Sequence, residues 1–183
     1  MSEVHTAAAP RESAAPAATT RGPQQYLTFV LGGEVFAIGI LAIREILEYA
    51  IPTQVPMMPP YLAGVINLRG AVVPVVDLAI RFGRPAGTVG KRTCIVIIEV
   101  AGGEELQQIG LLVDAVNAVI EVDAAQIEPP PAFGARVRAD FIHGMATVDS
   151  RFIILLDVRN LLAAAELEQV AETAAPGAPA THA

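Results

Sequence analysis

YLAGVINLRGAVVPVVDLAIRF (61–82) and FIHGMATVDSRFIILLDVRNLL (141–162) decide the fold, because an offset of 80 lays one over the other. Only two of the 22 positions are identical, Gly64 with Gly144 and Asp77 with Asp157, so the pattern carries the comparison. Both stretches run aromatic, aliphatic, glycine, strand-like run, polar turn, apolar run, aspartate and short helix. Upstream, an offset of 73 pairs FAIGILAIREILE (36–48) with IGLLVDAVNAVIE (109–121). The extra seven residues fall in the second connection, where PPPAFGARVRAD (129–140) sits. Two similar units in the same order imply an internal duplication. Each unit, at about 65–75 residues, is marginal alone, so the two are expected to bury a common apolar layer.

The local signals within each unit are short strands and turns. YLTFVL and EVFAIGI flank Gly32-Gly33, a dipeptide suited to the positive φ angles of a two-residue hairpin. AVVPVV, TCIVIIEV, QIGLLVDAV and FIILLDV are brief and rich in β-branched residues, which favours strands. Pro74 has no N–H to give, which predicts an edge strand or a bulge. Helices are expected only around 41–47, at 77–82 and at the C-terminus, in LLAAAELEQVAET (161–173).

The duplication separates fold from function inside one chain. What both units keep reads as structural: the glycines as points of backbone freedom, the aspartates as N-caps of the helices that follow. What differs is free to serve a partner. Arg69 is answered by Asp149, and Arg44-Glu45 by Asn117-Ala118.

Composition narrows the classes. The 183 residues are 53% apolar, yet charges interrupt every run that could cross a membrane, and the N-terminus lacks a signal-peptide pattern. A cytoplasmic protein is expected. The net charge of −7 argues against a nucleic-acid surface. The group Arg81, Arg84, Lys91 and Arg92 reads as a solvated loop. Cys94 cannot pair internally and sits in an apolar run, so a buried thiol is expected. His5 and His182 lie in the tails and His143 stands alone, so no metal cluster or histidine-based triad can be assembled; no cofactor and no enzyme activity are expected. Residues 1–25 and 171–183 are Ala- and Pro-rich and are expected to be disordered tails around a folded 26–170.

IREILE, VPMMPPYLAGVINLRGAVVPVVDL, GLLVDAVNAVIEVDAAQIEPPP and FIHGMATVDSRFIILLDVRNLL, in this order and spacing, resemble the CheW-type coupling proteins of bacterial chemotaxis. The resemblance implies a mainly β fold of two similar five-stranded β-barrels over a shared hydrophobic core, with short helices and a C-terminal helix. The first barrel is placed at about 26–90 and the second at about 91–165, with interleaving of the two left open. It also implies a non-catalytic adaptor between the cytoplasmic tips of methyl-accepting chemoreceptors and the regulatory domain of a CheA-type histidine kinase. Carried over residue by residue, the receptor-contacting positions are Arg69, Glu45 and Ile43, with Val116 and Val119 lining a groove between the barrels. The kinase-contacting strands are not assigned. A small barrel binding a ligand or oligonucleotide is the alternative, with the acidic balance and few aromatics against it.

Overall fold

A computed structural model describes residues 22–102, 104–129 and 141–161. The expected C-terminal helix beyond Leu161, residues 1–21 and 171–183 of the expected tails and most of PPPAFGARVRAD lie outside them, while Gln24 and Gln25, placed by sequence in the N-terminal tail, open β1. Eleven strands are described, in two sheets. The six-stranded sheet has the order β8-β1-β2-β11-β10-β9, and the five-stranded sheet the order β3-β6-β7-β5-β4. In chain order these are β1 (Gln24–Leu31), β2 (Glu34–Gly39), β3 (Ile43–Glu48), β4 (Leu62–Leu68), β5 (Ala71–Asp77), β6 (Cys94–Gly102), β7 (Glu105–Val113), β8 (Ala115–Val122), β9 (Ile127–Glu128), β10 (Ile142–Val148) and β11 (Arg151–Leu156). One four-residue helix, α1 (Leu78–Arg81), follows β5.

The two sheets are built alike, position by position. Leu155 pairs with Ala37 in parallel, as Val75 pairs with Gly110, which are the same pairings under the offsets of 80 and 73. Register shifts occur between Leu62 and Gly64 and again between Ile142 and Gly144. The Thr53–Val65 bridge stands where β9 meets β10. The turn Arg69-Gly70 matches the turn Asp149-Ser150, all four residues at positive φ. Asp77 and Asp157 cap the turns that follow, accepting from the backbone N–H of Ile80 and Arg159.

The units are exchanged. Each sheet takes its first hairpin from one repeat, β1–β2 or β6–β7, and its remaining strands from the other. The chain starts in the six-stranded sheet, crosses to the five-stranded one for β3–β7 and returns at β8, so both sheets draw on both sides of residue 90.

Three apolar clusters follow from strand alternation, which sends successive side chains to opposite faces. Phe29, Phe36, Ile38, Val96, Ile98 and Leu111 belong to the layer shared between the sheets. Opposite faces fill a cluster inside each sheet: Tyr26, Val122, Ala146 and Leu155 in one, Val73, Val75, Ile95 and Ile97 in the other. Each inner cluster draws on strands near both edges of its sheet, so each sheet is curled. Neither is closed into a barrel by hydrogen bonds among the described strands; each pairing order has two free ends.

Three local expectations are corrected. Residues 43–48 form β3, not a helix; only Ile40–Ala42 make a 3-10 turn. Ile43, Ile46 and Leu47 fit a helical spacing, but pairing with β6 prevails and the exposure alternates with period two. Pro74 lies on an interior strand: β7 begins to pair with β5 only at Val75, one residue past the missing N–H, while the register irregularity falls opposite, in β4. Arg81 and Arg84 are not solvated. Arg84 pairs with Glu34, donates to the Leu31 carbonyl and lies over the Phe36 ring.

Candidate partner-binding surface

The turn that carries Arg69 is forced to be tight: Leu68 faces Ala71, so two residues must reverse the chain. Both adopt left-handed φ, +52° at Arg69 and +84° at Gly70, the geometry that matches strand twist in a two-residue hairpin. Glycine accepts this freely, whereas arginine bears a cost of about 1 kcal/mol. The Asn67 side chain supports the turn, its Oδ1 accepting from the Gly70 N–H at 2.9 Å. The result lifts the Arg69 guanidinium off the sheet, 76% exposed.

Glu45 comes from β3, at the opposite edge of the same sheet. A bulge between Ile43 and Glu45 re-aims the strand there. The two side chains meet in a two-pronged ion pair: Arg69 Nη1 donates to Oε1 at 2.9 Å and Nη2 to Oε2 at 3.1 Å. Beside it Arg44 pairs with Glu99 on β6.

The apolar candidates divide. Ile43 on β3 and Val116 on β8 are half-buried and both pack against the shared layer, so much of their surface serves the core. Val119 is 47% exposed. The structure therefore joins Arg69 to Glu45 directly and places Ile43 and Val116 on one apolar layer. Cavities of about 890, 500 and 410 Å3 are lined by none of the five candidate residues.

Sequence reasoning missed Ile46, which is 46% exposed on β3. The signal was available, since the offset of 73 places it opposite Val119. It also missed the setting of Arg81, whose guanidinium carbon lies 4.3 Å from the Tyr61 ring centroid and 5.0 Å from that of Phe141. Met57 is fully exposed at the tip of a turn with φ +63°, while Met58 is half-buried. Cys94 is buried, and burial pushes its thiol above the ordinary value. Among the described residues no helix is long and apolar enough to cross a membrane.

This geometry offers recognition by shape and charge: an exposed fork of N–H donors, paired carboxylates and apolar edges. The family model described as "CheW-like domain" matches residues 25–166. The chain is 32% identical over 147 residues to the chemotaxis protein CheW of Klebsiella aerogenes, covering 80% of this chain and 86% of that one. It is 34% identical over 149 residues to that of Rhizobium meliloti, covering 81% and 94%. The crystal structure of the scaffolding protein TtCheW from Thermoanaerobacter tengcongensis superposes with a TM-score of 0.71 at 34% identity, over 78% of this chain and 90% of that chain.

Proposed function

The chain belongs to the CheW-like domain family, and from that premise we propose that it is a non-catalytic scaffold coupling chemoreceptor tips to a CheA-type histidine kinase. The observation that carries this reading is the family match over residues 25–166, almost the whole described fold. We read the two curled sheets as the paired barrels of that family. The receptor side is assigned to Arg69, Glu45, Ile43, Val116 and Val119, and Ile46 joins them as the counterpart of Val119.

A receptor tip is a helical hairpin, and an amphipathic helix docks by laying its apolar stripe against an apolar surface. Val119 and Ile46 supply exposed apolar area on edge strands, with Ile43 and Val116 behind them. Arg69 uses two of its five donor hydrogens on Glu45, which leaves the outer face of the fork for a receptor carboxylate or carbonyl. Charges at such a rim choose orientation and partner more than they add affinity.

Reconstitution tests the reading. Receptor-bearing membranes and a CheA-type kinase are mixed with and without this protein, and kinase autophosphorylation is followed. Stimulation and co-sedimentation of the kinase are expected; their absence with every cognate receptor defeats the coupling role.

A further inference from the structure

Arg81 and Leu161 occupy the same position in the two repeats, 80 residues apart, and they touch: Arg81 Nε donates to the Leu161 carbonyl at 2.8 Å. Two positions related by a duplication meet only near the axis that relates the halves. The two rings that the guanidinium contacts obey the same relation. Tyr61 and Phe141 are also 80 apart, and each carbonyl accepts from the equivalent aspartate N–H, Asp77 to Tyr61 at 2.7 Å and Asp157 to Phe141 at 2.8 Å.

The arginine thus bridges the two sheets. Tyr61 leads into β4 of the five-stranded sheet, and Phe141 into β10 of the six-stranded one. Behind it a file of rings continues into the shared layer, Phe141 to Phe82 at 5.9 Å, Phe82 to Phe36 at 5.6 Å and Phe36 to Phe29 at 6.0 Å. Burial of apolar area is itself non-directional, so it fixes the mutual angle of the sheets less sharply than a directional contact does. A planar cation set against two rings and bonded through its Nε–H to a carbonyl is directional in both respects.

We propose that Arg81 is a positioning residue that sets the angle between the two sheets, and with it the separation of the edge strands β3 and β8. Resting on the receptor-docking reading above, it governs helix affinity without touching the helix.

The test uses the full chain with spin labels on Glu48→Cys in β3 and Glu121→Cys in β8, the native Cys94 thiol being buried. Pulsed dipolar spectroscopy reads the distance distribution. Arg81→Met is expected to broaden it, while a control pair within one sheet, Glu48→Cys with Glu105→Cys, keeps its width. Arg81→Lys, which keeps the charge but not the flat fork, is expected to broaden it less. The affinity of a receptor-tip hairpin is expected to fall by about tenfold in Arg81→Met, the loss of roughly one directional contact. An unchanged inter-sheet distribution overturns the latch whatever the receptor does. If Arg81→Met fails to fold, a wild-type width in Arg81→Lys overturns it equally. A broadened distribution with no receptor binding even by the parent protein leaves the latch standing and defeats the docking reading instead.

Discussion

Arg69 and Glu45 grip each other across the open seam of the five-stranded sheet. One stands on the β4–β5 turn and the other on β3, the two edges that no backbone hydrogen bond joins. The pair fastens the curl from outside, yet Arg69 is 76% exposed and Glu45 26%. An ion pair this wet contributes at most about 1 kcal/mol to stability. Arg69→Ala is therefore expected to shift the urea midpoint little while weakening receptor-tip binding by about 1–3 kcal/mol, through loss of a charge-assisted bond. A joint exchange, Arg69→Glu with Glu45→Arg, restores the clasp but reverses the rim. Titration calorimetry should find its receptor affinity still low.

Backbone crowding sets a second expectation. At Gly64, with φ +145°, a Cβ would collide with the Thr53 carbonyl, backbone that cannot swing aside. At Gly33 a Cβ meets nothing, although φ is +81°. Gly33→Ala is expected to cost about 1 kcal/mol for its conformation alone, and Gly64→Ala about 1–3 kcal/mol more from overpacking. Chemical denaturation of both variants measures the gap, and an equal cost contradicts the clash.

Asp77 gives a pH signature. Burial raises its carboxyl above the ordinary value, the Asp114 charge adds to this, and the N–H groups of Ile80 and Ala79 oppose it. The folded chain therefore holds this proton at a pH where the unfolded chain has released it. The contribution of Asp77 to stability rises as pH falls through the raised value and levels off below the ordinary value of about 3.9. Asp77→Asn keeps a capping oxygen and removes that dependence. Stability curves of the two proteins should converge in acid and separate with the variant higher at pH 7, and equal stability at pH 7 contradicts the raised value.

The exchange of hairpins makes a fourth prediction. Cleaving the chain in the exposed stretch from Pro85 to Gly90 severs no sheet hydrogen bond. Each fragment nevertheless lacks the partner strands of its own first hairpin. Residues 1–88 alone and 89–183 alone are expected to show little β signal by circular dichroism, and an equimolar mixture to regain it. A folded single fragment contradicts the exchange.

Much of this was legible in the residues because local rules act on neighbours. The hairpin at Gly32-Gly33 and the aspartate caps follow from chemistry within a few positions, and the duplication from comparison of the chain with itself. The exchange was not legible, since the offsets of 80 and 73 are the same whether a hairpin packs on its own repeat or on the other. The clasp between residues 45 and 69 and the stacking of Arg81 arise from curling and docking, which bring together groups that no spacing rule connects. At 43–48 the error was a period: three apolar residues fit a helix or a strand, and only the presence of β6 decides.

A chain carrying one copy of the repeat could have completed neither sheet. Two such chains would have had to trade their leading hairpins, forming an intertwined homodimer whose existence depended on concentration. Joining the two copies in one chain makes that meeting an intramolecular event and lets the copies differ. Only then could one tip carry Arg69 and the other Asp149, and one side of the axis supply a guanidinium and the other its acceptor.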